Sequence, residues 1–262
     1  MCRWLAYRGR PRLMEAMVTQ PRHSLIDQSL HAAEAKVPTN GDGFGVGWYG
    51  ERDEPGLYRE VRPAWSDENL RSLCAQVRSP LFFAHVRAST GTAIARANCH
   101  PFAHGRHMFM HNGQIGGYAR LKRRIEALIP DDYYAARGGA TDSEAIFLVA
   151  LSRGLEADPV AAFAATLRDV AALMAQSGID EPLRFTAAVA DGAGLHAFRW
   201  ASDEKAPSLY YREEDGDLVV VSEPLDSDHS CWKPVPQGCA LAARPGAPVE
   251  VRCMNEAMRR AA

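Results

Sequence analysis

The sequence predicts an α+β fold in which packed sheets are covered by helices. Short apolar runs bounded by turn residues dominate both ends of the chain, whereas helical periodicity dominates the middle. The predicted strands do not alternate with helices as a βαβ repeat requires. No Gly-x-Gly-x-x-Gly follows a predicted strand and no phosphate-binding Gly-Lys-Ser/Thr loop occurs, so the pattern does not support a nucleotide site.

Helical periodicity is clearest in the alanine-rich stretch 158–178, where apolar residues recur every three or four positions. Three further helices are predicted, over 67–77, 118–129 and 143–155. Thr141 and Asp142 are placed to cap the last of these.

Strands are predicted for the short apolar runs 81–87, 107–111, 185–190, 195–200, 209–212, 218–222, 239–243 and 249–253. Asp191-Gly192 and Asp215-Gly216 predict the turns of two hairpins. In the stretch 41–47, glycines alternate in strand fashion and no helix follows. This pattern predicts a close approach of another backbone rather than a dinucleotide loop.

Composition and charge restrict the classes of partner. The 262 residues are 47% apolar and 24% charged, which is ordinary globular composition. Thirty basic and thirty-two acidic residues give a net charge of −2, which excludes a strongly basic nucleic-acid binder. No segment offers the roughly 20 apolar residues of a membrane span, and the start lacks a signal-peptide core. We therefore expect a cytoplasmic protein with no nucleic-acid or membrane partner. The length allows one or two domains, and the absence of an internal repeat or an obvious linker favours a single domain over 2–262.

The cysteines predict neither a disulfide framework nor a metal site. Six occur, at Cys2, Cys74, Cys99, Cys231, Cys239 and Cys253. A long chain without a signal peptide is not expected to depend on disulfides. No Cys-x-x-Cys and no zinc-type His/Cys spacing is present. Most of these cysteines are expected to be buried as small apolar residues, and only Cys2 stands apart.

Cys2 becomes the first residue of the chain if Met1 is removed. A terminal cysteine carries a thiol, with a reference pKa of about 8.5, and an α-amine, with a reference pKa of about 7.7–8.0. Near neutral pH the neutral amine can accept the thiol proton. This arrangement makes a nucleophile without a separate histidine.

Four further stretches follow Cys2 in chain order: 40–48 (Asn-Gly-Asp-Gly-Phe-Gly-Val-Gly-Trp), 85–90 (His-Val-Arg-Ala-Ser-Thr) with 98–102 (Asn-Cys-His-Pro-Phe), 111–113 (His-Asn-Gly) and 141–144 (Thr-Asp-Ser-Glu). Each is weak alone. Together with Met1-Cys2 they resemble the amidohydrolase domain of class II glutamine amidotransferases, which are N-terminal-nucleophile hydrolases. The resemblance implies a four-layer αββα sandwich of two antiparallel sheets between helical layers, and no cofactor or metal.

The resemblance also assigns roles to five residues. Cys2 resembles the nucleophile that attacks a γ-glutamyl amide and forms a thioester, with its α-amine as general base. Asn112 and Gly113 resemble an oxyanion hole. Arg87 resembles the clamp on the substrate α-carboxylate, and Asp142 resembles the acceptor for the α-ammonium.

Each of these positions also has a structural interpretation that stays open at this point. An arginine after a strand is often an ion-pair or surface residue, and Asp142 before a helix is often a cap. Asn112-Gly113 is a common hairpin turn. His100 and His111 are expected to be structural, because a terminal-amine mechanism needs no imidazole.

Departures from the family pattern indicate which branch of the family this chain resembles. Synthase-linked members usually carry Trp after the clamp arginine and His soon after it, whereas this chain has Ala88, Ser89 and Thr90. Ser143 stands where Thr is common. The length leaves no room for a synthase domain, so the chain resembles stand-alone hydrolases of γ-glutamyl compounds. These include the ergothioneine-pathway enzyme, whose group the Met-Cys-Arg start resembles, and the amidase subunit of glutathione degradation.

The expected small-molecule partner is therefore glutamine or a γ-glutamyl compound, and three alternatives stay open. The chain could be a glutaminase subunit that delivers ammonia to a synthase or other protein partner, with the basic helix predicted over 118–129 as one docking face. Cys99 and His100 could form a thiol–imidazole pair, although neighbours on an extended segment point to opposite faces. The chain could also be a non-catalytic scaffold. The chain could also form a homo-oligomer.

Overall fold

Two antiparallel sheets lie face to face, and helices cover the outer face of each. The structure is a computed structural model that describes residues 2–34, 39–89, 91–254 and 258. Within these residues the first sheet has seven strands in the order β11-β9-β10-β1-β4-β2-β3 and the second has six in the order β13-β12-β8-β7-β6-β5. This is the predicted αββα arrangement.

The strands of the first sheet are β1 (Arg3–Leu13), β2 (Phe44–Trp48), β3 (Gly56–Glu60), β4 (Arg78–Val86), β9 (Tyr210–Glu214), β10 (Asp217–Val221) and β11 (Lys233–Pro234). Those of the second sheet are β5 (Phe102–His104), β6 (His107–Ile115), β7 (Leu183–Ala190), β8 (Leu195–Ala201), β12 (Cys239–Ala243) and β13 (Glu250–Cys253). The helices are α1 (Glu15–Val18), α2 (Leu25–His31), α3 (Glu68–Gln76), α4 (Tyr118–Glu126), α5 (Asp131–Tyr134), α6 (Asp142–Ser152) and α7 (Pro159–Gln176). Single 3₁₀ turns lie at Ala64–Ser66, Arg96–Asn98 and His229–Cys231.

Alternation along β1 shows how the layers are built. Trp4 and Ala6 are buried between the two sheets, whereas Leu5 and Tyr7 are buried on the helix-covered side with residues of α1, α2 and α3. Successive strand residues point to opposite faces, so a central strand with both faces covered is apolar throughout. Cys2 directly precedes this strand and therefore lies at one end of the layer between the sheets.

The other helical layer covers the second sheet. Every residue of α6 from Ser143 to Leu151 is buried, because the helix lies between the sheet and α7. The Asp158 side chain caps α7 by accepting from two backbone N–H groups, and Pro159 occupies its first turn. None of the helices in the described ranges is long and apolar enough to cross a membrane.

The long predicted elements are confirmed, with small shifts at their ends. The four predicted helices correspond to α3, α4, α6 and α7, and the two Asp-Gly turns join β7 to β8 and β9 to β10. Gly192 and Gly216 both have positive φ, as such turns require. The prediction missed α1, α2, α5, β3, β5 and β11, which are short and carry little periodicity. The turn interpretation of Asn112-Gly113 is wrong, because both residues lie inside β6.

The basic helix α4 uses part of its charge internally. Arg124 donates hydrogen bonds to Ser177 and Gln176 at the end of α7, and Lys122 lies 4.0 Å from Glu126. A partner that docks on α4 remains a prediction.

Candidate active site

Cys2 lies where the two sheets meet at one end of β1. Its side chain is partly exposed, and its Sγ lies 3.6 Å from the carbonyl oxygen of Ala88. Burial raises the pKa of the Cys2 thiol, and the positive charges of Arg87 and Arg3 act in the opposite direction. A thiol with a raised pKa needs a base to become a nucleophile. Met1 lies outside the described residues.

Asn112 connects the second sheet to Cys2. It is 2% exposed, and its Nδ2 donates to the carbonyl oxygen of Cys2 at 3.0 Å. An amide nitrogen carries two hydrogens, so one donor of Asn112 is left for another acceptor. Cys2 and Asn112 are therefore side by side although 110 positions separate them in the chain.

Gly113 occupies a position that tolerates no side chain. A Cβ there would lie 2.0 Å from the carbonyl oxygen of Arg184 and 2.5 Å from Nε2 of His111. Both distances are below any real contact of a Cβ atom. The side chain of a larger residue would separate β6 from β7 or displace His111. Glycine is thus required for packing on the side of β6 opposite Asn112.

Arg87 follows β4 and is held in a cage of neutral oxygens. The side chain is 3% exposed. Its guanidinium donates to the carbonyls of Asp42 and Ala93 at 3.2 and 3.4 Å, and to the hydroxyls of Ser89 and Thr92 at 3.1 and 2.6 Å. No described carboxylate forms an ion pair with it. A buried cation without a counter-charge is suited to an anionic ligand.

The segment over Arg87 is closed by short polar contacts. Ser89 N–H donates to the Asp42 carboxylate at 2.7 Å, and the Ser89 hydroxyl donates to the Thr92 carbonyl at 2.6 Å. These bonds hold the chain after β4 around the guanidinium. Thr90, which belongs to the same predicted motif, lies outside the described residues.

Asp142 occupies the first turn of α6 and is bonded to the end of β6. One carboxylate oxygen accepts the Ile115 N–H at 2.9 Å and the other accepts the Ser143 N–H at 2.8 Å. The cap itself is Thr141, whose hydroxyl accepts the Glu144 N–H at 3.2 Å. Of the two predicted capping residues, Thr141 therefore performs that role, and Asp142 contacts β6 without contacting Cys2, Arg87 or Asn112.

His111 and Ser143 complete the contact between α6 and β6. His111 Nε2 faces the Arg184 carbonyl at 3.2 Å, so this nitrogen carries the hydrogen of the neutral ring. Nδ1 then accepts from the Ser143 hydroxyl at 2.9 Å. Burial lowers the pKa of His111, although Asp142 opposes this, which keeps the ring neutral. The contacts of His111 are those of a structural residue, as expected.

His85 and His100 stack between the sheets, with ring centroids 4.3 Å apart. Both are buried, and none of their four ring nitrogens has a hydrogen-bond partner among the described residues. Burial lowers the pKa of His85 to about 3 and that of His100 well below its usual range, so both rings are neutral near pH 7. Neither ring is poised to act as a base.

Cys99 and His100 do not form the thiol–imidazole pair. The Cys99 thiol lies 3.5 Å from the Glu60 carbonyl and 3.6 Å from that of Ala95, whereas the His100 ring contacts His85 and Phe102. A Cβ at Gly43 would lie 2.7 Å from the Cys99 Sγ. A Cβ at Gly45 would lie 2.2 Å from the carbonyl oxygen of His100. The predicted close approach of another backbone over 41–47 is therefore present, and the Cys99 side chain packs beside it.

Two further residues organise the site although the sequence analysis gave them no role. Asn98 is 2% exposed, accepts the Ala140 N–H at 2.8 Å and donates to the Ala93 carbonyl at 2.9 Å. It thus joins the chain around Arg87 to the segment before Asp142. Glu144 accepts from the backbone of Gly138 and Gly139 at 3.0 and 2.8 Å. Asn98 lies in the motif 98–102 and Glu144 in the motif 141–144, and this membership was the signal in the sequence that could have identified them.

Arg3 lies on the opposite side of β1 from Cys2 and is fully buried. Its Nε lies 3.1 Å from Oε2 of Glu223, and the other oxygen of Glu223 lies 2.6 Å from Nε2 of His23. His23 in turn lies 2.7 Å from Asp27. A chain of three polar or charged side chains, Glu223, His23 and Asp27, thus anchors Arg3, the residue that follows Cys2.

Comparisons with known proteins agree with this architecture. The model of the family described as glutamine amidotransferases class-II matches residues 14–206. The probable glutamine amidotransferase DUG3 of Saccharomyces cerevisiae is 33% identical over 93% of this chain and 82% of its own length. Gamma-glutamyl-hercynylcysteine sulfoxide hydrolase of Mycolicibacterium smegmatis is 29% identical over 90% of this chain and 92% of its own.

A solved structure is similar over almost the whole chain. The glutamine aminotransferase class-II domain protein of Silicibacter pomeroyi has a TM-score of 0.78 and 39% identity, covering 97% of this chain and 99% of its own. The present chain belongs to the class II glutamine amidotransferases. It is an N-terminal-nucleophile-type enzyme of amide hydrolysis, and the comparisons support this function rather than the ammonia-donating subunit or the non-catalytic scaffold.

Proposed function

We propose that this enzyme hydrolyses the γ-amide bond of a γ-glutamyl compound or of glutamine, with Cys2 as the N-terminal nucleophile after removal of Met1. In this proposal residues 2–262 act as one amidohydrolase domain. The observation that carries it is the meeting of Cys2, Asn112 and the segment of Arg87 at one end of the layer between the sheets. The similarity to a γ-glutamyl hydrolase favours a γ-glutamyl substrate.

Recognition of the substrate uses its amino-acid end. Arg87 carries a buried charge satisfied only by neutral oxygens, so an α-carboxylate gains a charge-assisted contact there. Asp142 supplies the opposite charge for the α-ammonium. Its oxygens accept only backbone N–H groups at close range, because the single Ser143 hydroxyl hydrogen goes to His111. A cation and an anion at fixed positions orient the scissile amide.

The first chemical step forms a thioester. The α-amine of Cys2 takes the thiol proton, and the sulfur adds to the γ-carbonyl carbon. The amide oxygen becomes an oxyanion that accepts from the free N–H of Asn112 and from the Gly113 backbone. The ammonium of Cys2 then gives its proton to the leaving nitrogen as the C–N bond breaks, and an amine or ammonia departs.

The second step regenerates the enzyme. The same amine removes a proton from water, whose oxygen adds to the thioester carbon. The C–S bond breaks, glutamate leaves, and the sulfur recovers its proton. Both steps use the same base, the α-amine of Cys2. Retained Met1 therefore prevents both steps, because its peptide bond converts this amine into an amide.

The test measures glutamate release from three substrates with the processed enzyme. These are glutamine, a γ-glutamyl dipeptide and its α-glutamyl isomer. We expect turnover of at least one γ-linked substrate, no turnover of the α-isomer, and loss of activity in Cys2→Ala. Turnover by the Cys2→Ala variant, or equal turnover of the γ-glutamyl dipeptide and its α-glutamyl isomer, would contradict the proposal.

A further inference from the structure

Two cysteines far from Cys2 lie within contact distance of each other. The Sγ atoms of Cys239 and Cys253 are 3.3 Å apart, and both cysteines are free. Cys239 begins β12 and Cys253 ends β13, and the two residues are directly paired in the antiparallel register. Cys74, Cys99 and Cys239 are buried as expected, whereas Cys253 is exposed and Cys231 is half-buried.

The backbone around this pair has the geometry that a cross-strand bridge needs. The Cys239 N–H donates to the Pro236 carbonyl at 3.2 Å, and the Met254 N–H donates to the Gly238 carbonyl at 2.8 Å. Cys239 and Cys253 therefore form a non-hydrogen-bonded pair. The Cα atoms of such pairs are about 4.5 Å apart, which is within the range of roughly 4.4–6.8 Å found in disulfides.

One sulfur is accessible and the other is enclosed. Cys253 lies on β13, an edge strand whose four residues are all exposed, and it lines an open cavity of about 880 Å³ between β12, β13 and α7. Cys239 is only 4% exposed. A small oxidant therefore reaches Cys253 first, and Cys239 is the neighbouring thiol that completes the reaction.

We propose that Cys239 and Cys253 are a site of oxidative modification that closes to an intramolecular disulfide on reaction with a small-molecule disulfide. The Cys253 thiolate attacks one sulfur of that compound, displaces a thiolate and forms a mixed disulfide. Cys239 then loses its proton, attacks the Cys253 sulfur and displaces the second thiolate. Two protein thiols are oxidised by two electrons, and the small disulfide is reduced to two thiols.

The environment of Cys239 makes the closed bridge long-lived. Burial raises the pKa of Cys239 to about 11. Reduction begins at the accessible Cys253 sulfur and expels Cys239, and a thiol with a high pKa leaves slowly. We therefore expect a bridge that opens slowly once formed.

The bridge acts on the sheet edge rather than on catalysis. β13 pairs with β12 alone, and three strands lie between it and β6, which carries Asn112. The next residue, Met254, is buried in the core under α7. Closure therefore links β13 covalently to β12 and restrains the adjoining Met254, while the surroundings of Cys2 do not change.

The experiment equilibrates the processed enzyme with mixtures of bis(2-hydroxyethyl) disulfide and 2-mercaptoethanol. Free thiols are then alkylated in acid, and the chain is digested without reduction. Trypsin cleaves after Arg252, and chymotrypsin cleaves after Trp232, which separates Cys231 from Cys239. We expect a cross-linked peptide pair that joins Cys239 to Cys253 and slower hydrogen exchange across β13, by about tenfold or more.

Three variants make the result specific. Cys253→Ser is exposed and should abolish the cross-link, Cys239→Ala should leave Cys253 as a mixed disulfide, and Cys231→Ser should behave as the wild type. Glutamate release by the treated wild type should equal that of Cys253→Ser treated in the same mixture, so that any modification of Cys2 is common to both. The proposal is overturned if both thiols stay alkylated in the most oxidising mixture, if Cys253 stops at the mixed disulfide, or if it pairs with Cys231.

Discussion

The side-chain amide of Asn112 donates to the carbonyl oxygen of Cys2 at 3.0 Å, which joins the second sheet to the start of the central strand of the first. This bond fixes the backbone of the proposed nucleophile from across the layer between the sheets. It also orients the second N–H of Asn112. One residue can thus position Cys2 and stabilise the oxyanion that forms beside it.

Replacement of Asn112 by alanine should lower kcat by about 10²–10³, because loss of one oxyanion donor typically has this effect. The measurement is glutamate release under saturating substrate. Gln114→Ala is the matched control, since Gln114 lies on the same strand but is exposed. A kcat for Asn112→Ala equal to that of the control would remove Asn112 from the catalytic account.

Replacement of Arg87 by lysine should raise KM for substrates with a free α-carboxylate, with a smaller effect on kcat. Lysine keeps the charge but loses the planar fork, and a hydrogen bond to a charged group contributes about 1.5–3 kcal/mol. We expect kcat/KM to fall by roughly 10- to 150-fold. A substrate whose α-carboxylate is converted to an amide should show little difference between the two enzymes. An equal loss for both substrates would assign Arg87 a purely structural role.

Replacement of Glu223 by glutamine should strongly destabilise the fold. It leaves Arg3 as a buried cation without a counter-charge, and breaking such a pair costs about 3–5 kcal/mol. The free energy of unfolding in urea is the measurement. Asp169→Asn, which breaks the exposed pair with Arg153, should change stability by less than about 1 kcal/mol. Similar effects of the two variants would mean that Arg3 is solvated.

The contacts of His23 predict a pH dependence of stability. Burial alone would lower the pKa of His23, but hydrogen bonds to Glu223 and Asp27 outweigh burial, so the pKa is raised. A histidine whose pKa is higher in the folded state than in the unfolded state stabilises the fold. This stabilisation is fully present at pH values below the unfolded-state pKa of about 6.5, and it is lost as the pH rises through the folded-state pKa. The stability difference between the wild type and His23→Gln should therefore shrink as the pH rises above about 6.5. A constant difference would show that His23 does not titrate in this range.

The strongly periodic elements could be predicted from the sequence, and the contacts between distant elements could not. The stretch that forms α7 has both an apolar stripe and a capping aspartate, so local signals suffice. Asn112-Gly113 has the local signal of a turn, but β6 continues through it because β7 pairs with it on one side. A local turn signal does not produce a turn where a neighbouring strand forms hydrogen bonds with the same stretch of backbone.

The site illustrates the same limit. Arg87, Asn112 and Asp142 were identified through a family resemblance, because no local pattern relates them to Cys2. The pairing of Arg3 with Glu223 joins residues 220 positions apart, and Asn98 joins two separate segments. Such long-range polar contacts depend on the packed layers, which the sequence specifies only as a whole.

The central claim is tested most directly by a mass measurement after incubation with a γ-glutamyl chloroketone. Cleavage after glutamate yields an N-terminal peptide that ends at Glu15 and contains no cysteine besides Cys2. We predict an intact chain that lacks Met1 and carries one adduct, located on Cys2, whose formation is slowed by excess substrate. A chain without Met1 that stays unlabelled, or that is labelled on Cys99, would contradict the mechanism.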